Sequence, residues 1–230
     1  MSTAKQVIDK WAQDYYFKHA TFPDFKAWQQ NVNGKDIPRQ TSSDGYSGVC
    51  YGLSLYWVRM YAVGKLHLWD TLLALPEAQK AMGKLHAEIP KLEPAALSFQ
   101  RNQLASRGLV NPVFTPDGRQ QEVFTPEDAN LEGMIDKLTD KLIDFAESTP
   151  TYYLLQSSKP SRVGHCLAIA DEVDCEVGTL TFFDPNAGWV TITKSHYASL
   201  DSLLNHLFEE VDEYKGTNRL VLAPFRMKTP

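Results

Sequence analysis

Residues 48–57 read Gly-Val-Cys-Tyr-Gly-Leu-Ser-Leu-Tyr-Trp, and they decide how the rest of the chain is interpreted. With Ser47 as N-cap, this stretch predicts a helix that places Cys50 at the third position of its first turn. Unpaired backbone N–H groups and the positive end of the helix dipole favour an anion at this position. A thiolate is such an anion, so we predict a lowered pKa for the Cys50 thiol and a nucleophilic role. The alternative for a single cysteine is a small, buried apolar side chain.

The composition excludes several classes of protein. The chain has 230 residues, of which 43% are hydrophobic, and this suffices for one core with a small appended part. A net charge of −5 leaves no basic excess for phosphates, so we expect no nucleic-acid partner. Three cysteines without a Cys-x-x-Cys pair argue against disulfides and cysteine-based zinc. The histidines lack metal-ligand spacing, so neither a metal nor another cofactor is expected.

Helical patterns come before strand patterns along the chain. Apolar periodicity predicts helices at residues 3–20, 24–30, 50–62, 66–89, 94–107, from 126 onward and at 200–214. A turn signal at Asp117-Gly118 predicts a hairpin or an ordered loop within residues 110–125. Loop-type composition at residues 31–47 divides the chain into an N-terminal helical cap and loop (1–45) and a main domain (46–230).

Strand patterns dominate after Pro150. Short apolar runs bounded by turn residues predict strands at residues 152–156, 164–170, 178–183, 188–193 and 219–225. The first four are close in sequence, so we predict an antiparallel meander. A series of helices followed by the strands of a sheet is the typical order of an α+β fold.

Two polar residues lie at the ends of neighbouring predicted strands. His165 begins the second strand of the meander, and Asp184 ends the third. Because antiparallel neighbours place the start of one strand beside the end of the next, we predict that Asp184 lies near the His165 ring. Each residue also has an ordinary explanation, as a hydrogen-bonded core histidine and a turn aspartate. Together with Cys50 they form a nucleophile, a base and an orienting carboxylate.

These stretches together resemble the YopT/AvrPphB-type cysteine proteases, a papain-like family of bacterial effectors. Residues 48–57, the pair Gly164-His165 and residues 183–188 look like the three blocks of that family, in its order. The resemblance covers about residues 46–225 and implies a papain-like fold, with the helical part packed on a C-terminal antiparallel sheet. It also implies that Cys50 is the nucleophile, His165 the general base and Asp184 the orienting residue.

The resemblance further implies a thiol endopeptidase that acts as a virulence effector. Such a protein is made in the bacterial cytoplasm and moved into target cells, where it cleaves a host or rival protein. The chain shows no Sec-type signal and no apolar run of spanning length, so we expect a translocated protein without stable membrane insertion.

The region before the cysteine departs from the papain-like pattern. Papain-like sites usually take one oxyanion donor from an Asn or Gln there, whereas this chain has Ser43, Asp44 and Ser47. An ionised Asp44 cannot donate a hydrogen bond. We therefore predict that the backbone N–H of Cys50 serves together with another N–H or with Ser47.

Two other functions remain open at this point. Deamidases, transglutaminases and acyltransferases use the same three residue types on side-chain amides or thioesters. An inactive relative that only binds its partner is the second alternative, suggested by the unusual oxyanion region. The sequence does not specify the substrate, the cleavage-site preference, the secretion route, autoprocessing or the oligomeric state.

Overall fold

The fold is described from a computed structural model of the chain. The described residues are 2–28, 49–87, 109–110, 122–125, 131–144, 150–159, 164–172, 178–193, 197–212 and 214–227. The helix predicted at residues 94–107, the turn at Asp117-Gly118, and Ser43, Asp44 and Ser47 lie outside these ranges.

Helices lie mainly before the sheet in sequence, as the α+β prediction requires. The helices are α1 (Ala4–His19), α2 (Cys50–Ala62), α3 (Trp69–Leu73), α4 (Pro76–Ala87), α5 (Leu131–Asp144) and α6 (Tyr197–Glu210), with a 3-10 turn at Leu66–Leu68. The strands are β1 (Asp24–Ala27), β2 (Leu109–Val110), β3 (Glu122–Phe124), β4 (Thr151–Ser158), β5 (Cys166–Glu172), β6 (Thr179–Asp184), β7 (Gly188–Thr193) and β8 (Arg219–Met227). The α+β prediction is confirmed.

The described strands form one eight-stranded antiparallel sheet. Its order is β1-β7-β6-β5-β4-β8-β2, and β3 also pairs with β8. The predicted meander is therefore confirmed as β4 to β7. Ala168 of β5 pairs with Phe183 of β6, so the start of β5 lies beside the end of β6. This register brings the two predicted polar residues to the same end of the sheet.

Helices cover both faces of the sheet because the central strands are apolar on both sides. In β5, Leu167 and Ile169 face a core that α1, α5 and α6 complete. Cys166 and Ala168 face the opposite core, which α2, α3 and α4 complete. Small side chains on this second face are compatible with a close approach of α2 to β5, and that approach positions the first turn of α2.

Two predictions of local structure are wrong. Residues 24–30 were predicted as a helix, but Asp24–Ala27 forms β1, because pairing with β7 overrides its weak helical pattern. Residues 66–89 are not one helix, since α4 begins at Pro76, which lacks the N–H needed inside a helix. The predicted hairpin or ordered loop stays a prediction, because residues 111–121 lie outside the described ranges. The flanking strands β2 and β3 each pair with β8.

The division into residues 1–45 and 46–230 stays a prediction. In space, α1 shares one buried cluster with α6, and β1 extends the sheet beside β7. Within the described ranges, the helices are too short or too polar to cross a membrane.

We expect Gly52→Ala to destabilise the contact between α2 and α4. A Cβ at Gly52 would lie 2.4 Å from the backbone carbonyl oxygen of Met82, which cannot rotate away. Urea denaturation should show a loss of about 3 kcal/mol in the free energy of unfolding. Gly64→Ala is the control, because its Cβ meets nothing within 4 Å and only its φ of +68° costs about 1 kcal/mol. Equal losses in the two variants would contradict the close helix contact.

Candidate active site

Cys50 is the first residue of α2. The N-cap is Val49, which makes no side-chain capping bond, and the first helical bond runs from Leu53 N to Val49 O at 2.9 Å. The prediction of Ser47 as N-cap, with Cys50 at the third helical position, is therefore wrong by two residues. The side chain of Cys50 stays in the first turn and is 7% exposed. A thiol here lies at the positive end of the helix dipole.

The backbone of His165 is fixed against the end of β4. His165 N donates to Ser157 Oγ at 3.2 Å, and Ser157 N donates to His165 O at 2.9 Å. The preceding residue must be glycine, because a Cβ on Gly164 would lie 1.1 Å from Ser157 O. The Gly-His pair in the sequence therefore marks a close backbone contact that sets the position of the ring.

Asp184 holds the ring from the end of β6. Its Oδ1 lies 3.1 Å from His165 Nε2 and also accepts the backbone N–H of Asn186 at 2.7 Å. The hydroxyl of Tyr214 donates to the other carboxylate oxygen, Oδ2. The carboxyl group is fully buried, so these donors offset the cost of removing it from water.

His165 interacts with both of the other predicted residues. Burial of the ring acts to lower the pKa of His165, but the negative charges of Cys50 and Asp184, and hydrogen bonds to both, raise it to about 10. Because Nε2 faces Asp184, Nδ1 is the ring nitrogen left for the thiol. The interaction is mutual, so a protonated ring favours the thiolate form of Cys50.

Cys166 is the second cysteine on this side of the sheet. It lies in the same buried cluster as Cys50, and Ser54, one turn after Cys50, donates to its carbonyl oxygen at 2.9 Å. Burial raises the pKa of the Cys166 thiol well above its usual value, and the charge of Cys50 raises it further. Cys166 therefore faces α2, on the same side of the sheet as Cys50.

We expect iodoacetamide at about pH 8 to modify Cys50 and not Cys166. The raised pKa keeps Cys166 as a neutral thiol, and alkylation requires the thiolate. Peptide mass mapping of the folded protein checks this, and the same reaction in urea confirms that both peptides are detectable. Equal modification of the two cysteines in the folded state would contradict the difference in environment.

The structure brings together Cys50, His165 and Asp184, which the sequence singled out. It adds Tyr214, Asn186 and Ser157, which sequence reasoning missed. A turn signal after Asp184 could have identified Asn186, but no signal indicated the tyrosine. Across the described residues, no group of three or more His, Cys, Asp or Glu side chains could hold a metal ion. A thiol, a ring nitrogen and a carboxylate in this order can activate a nucleophile and return a proton.

Cys50 begins a helix that packs on an antiparallel sheet, and it meets a histidine and an aspartate at one end of that sheet. This arrangement defines the papain-like, cysteine protease-type class of fold. Residues 18–228 match the peptidase C58 family, described as Yersinia/Haemophilus virulence surface antigen, and the chain belongs to this family. The resemblance to the YopT/AvrPphB family is therefore confirmed. Sequence comparison with curated proteins gives no match.

Two solved structures are similar to this chain. The crystal structure of the Pseudomonas avirulence protein AvrPphB is 17% identical and has a TM-score of 0.52, with 84% of this chain and 99% of that chain covered. PatoxP, a cysteine protease-like domain of the Photorhabdus asymbiotica toxin PaTox, is 13% identical, with a TM-score of 0.42. That match covers 96% of this chain and 60% of the PatoxP chain. The papain-like fold prediction is confirmed by the similarity to AvrPphB.

Proposed function

We propose that this chain is a thiol endopeptidase that uses Cys50 as nucleophile, His165 as general base and acid, and Asp184 as the orienting residue. One observation carries the proposal. The buried His165 ring is hydrogen-bonded to Cys50 and lies 3.1 Å from the Asp184 carboxylate. A base held between a thiol and a carboxylate is the arrangement that activates a cysteine for attack on an acyl group.

The reaction begins with the thiol proton on His165. The Cys50 sulfur attacks the peptide carbonyl carbon, and the carbonyl oxygen takes the negative charge of the tetrahedral intermediate. His165 then gives its proton to the leaving amine, the C–N bond breaks, and a thioester forms on Cys50. The neutral ring next takes a proton from a water molecule whose oxygen attacks the thioester carbon. The C–S bond breaks, the carboxylic acid leaves, and Cys50 returns to a thiolate beside the protonated ring. Asp184 stays ionised and offsets the charge of the ring in each step.

The donors to the tetrahedral oxyanion are proposed to include the backbone N–H of Cys50. The first N–H groups of a helix have no carbonyl partner within the helix, so they suit a developing negative charge. Ser47 stays a predicted second donor and lies outside the described residues.

The substrate is proposed to be a protein of a host or rival cell, reached by translocation from the bacterial cytoplasm. Family membership supports this, since the peptidase C58 family is described as a virulence surface antigen. The net charge of −5 gives no support to a nucleic-acid substrate. The proposed reaction uses no metal or other cofactor.

Comparison of new protein N-termini in target cells tests the proposal. Cells that express the wild-type chain should contain fragments absent from cells with Cys50→Ala. Cys166→Ala is the matched control and should give the same fragments as the wild type. Cys166 lies in the same buried cluster as Cys50, but no hydrogen bond joins it to His165 among the described contacts. If cells with the wild-type chain and cells with Cys50→Ala contain the same protein N-termini, the protease assignment is overturned. A side-chain mass change matching amide-to-acid conversion, without new N-termini, would indicate a deamidase instead.

A further inference from the structure

Tyr214 connects the end of α6 to the buried histidine–aspartate pair. Its hydroxyl donates to Asp184 Oδ2, and its ring meets the His165 ring nearly edge-on, with centroids 5.3 Å apart and planes at 63°. On its other side the ring packs against Phe208 of α6, at a centroid distance of 5.1 Å. The side chain is fully buried. Tyr214 therefore contacts both partners of the pair with different parts of one side chain.

The backbone of Tyr214 is held by the turn that joins α6 to β8. Tyr214 N donates to Val211 O at 2.9 Å. Its carbonyl accepts Thr217 N at 3.0 Å and Thr217 Oγ1 at 2.6 Å. Because these bonds fix the backbone and Phe208 fixes the ring, the hydroxyl is aimed at Asp184 before any substrate arrives.

The carboxylate needs such an anchor. Asp184 Oδ1 accepts hydrogen bonds from both His165 Nε2 and the backbone N–H of Asn186. Without Tyr214, the second oxygen, Oδ2, would have no donor among the described contacts. A buried carboxylate oxygen without a donor costs free energy and draws in water or a proton. The Tyr214 hydroxyl fills this position and sets the plane of the carboxyl group.

We infer that Tyr214 is a positioning residue of the proposed peptidase, which keeps the Asp184 carboxylate aligned with His165 and keeps water away from their hydrogen bond. This inference rests on the proposed function. Tyr214 acts through Asp184 and the His165 ring and does not touch the reacting atoms. The charged or titratable groups that act on the ring are Cys50 and Asp184.

Tyr214→Phe tests the inference, because it removes the hydroxyl and keeps the ring. Misalignment and water entry weaken the interaction of the ring with the Asp184 carboxylate, so the pKa of His165 should fall by about one unit, within the range by which a nearby opposite charge shifts a pKa. NMR titration of the ring measures this directly. The high-pH limit of fragment formation, where the ring loses the proton that the leaving amine needs, should move down by the same amount.

Tyr61→Phe is the matched control. It also removes a partly buried tyrosine hydroxyl that is hydrogen-bonded, to Thr181 at 3.0 Å and to Glu172, but has no described contact with Asp184 or His165. Its His165 titration and its pH profile of fragment formation should match the wild type. An unchanged titration in Tyr214→Phe, or the same shift in Tyr61→Phe, would overturn the positioning role.

Two further results separate this inference from the proposed function. If wild-type Cys50 reacts only as an ordinary thiol, the proposed function fails and the inference fails with it. If wild-type Cys50 behaves as a thiolate and Tyr214→Phe leaves the titration of the His165 ring unchanged, the inference alone fails. A measurement on the wild type does not depend on a folded variant: the phenolic proton of Tyr214 should exchange slowly with water, and rapid exchange would contradict a buried bond to Asp184.

Discussion

His165→Ala turns Cys50 into an ordinary thiol and lowers its thiolate fraction at about pH 6 by about 300-fold, the ratio expected when a paired thiolate reverts to a pKa near 8.5. The reason is the loss of the ring that hydrogen-bonds to the thiol and carries the balancing charge. The measurement is the rate of Cys50 alkylation across pH. The wild type should show a broad plateau, and the variant a rate that rises about tenfold per pH unit below the thiol pKa.

His206→Ala is the control for this variant. His206 lies on α6 and bonds Glu210 at 2.8 Å, so its removal deletes an imidazole outside the site. The alkylation profile of this control should match the wild type. A plateau that survives in His165→Ala would show that the helix terminus alone maintains the thiolate, contrary to the role given to His165.

Asp184→Asn should lower the rate of fragment formation by about 10³-fold and shift the high-pH limit of fragment formation downward. The negative charge of Asp184 and its hydrogen bond both raise the pKa of His165. Neutralising the carboxylate removes the charge contribution, so the ring loses its proton at a lower pH and the thiolate–imidazolium pair disappears earlier as pH rises. Asparagine can also present an N–H to Nε2 and fix the wrong tautomer.

Asp201→Asn is the matched control for the carboxylate. Asp201 lies on α6, accepts hydrogen bonds from Thr139 and Asn205, and is outside the site. The alkylation profile and the fragments should both be unchanged in this variant. An Asp184→Asn protein with wild-type fragment formation and a wild-type high-pH limit would contradict an orienting carboxylate.

The arrangement of the site could be predicted because it depends on two regular features. Continuous apolar runs specify the meander, and antiparallel pairing then places the start of β5 beside the end of β6. His165 and Asp184 lie at those two ends, so their contact follows from strand order alone. The start of α2 was predicted to within two residues, because several backbone conformations can precede a helix without a side-chain cap.

Other parts of the fold depend on contacts that no local pattern encodes. The segment Asp24–Ala27 is polar and short, and it becomes a strand only because β7 offers an edge. Tyr214 lies 30 residues after Asp184, and their contact depends on how the turn after α6 returns the chain to β8. Sequence periodicity does not report the length or direction of such a turn.

The most direct test of the central claim is the pH titration of the Cys50 thiolate by its ultraviolet absorbance, taken as the difference between the wild type and Cys50→Ala. The thiolate should already be present at about pH 6, because the His165 ring stays protonated up to a pKa of about 10. A thiolate signal that appears only as the pH passes about 8.5, the ordinary thiol value, would contradict that claim.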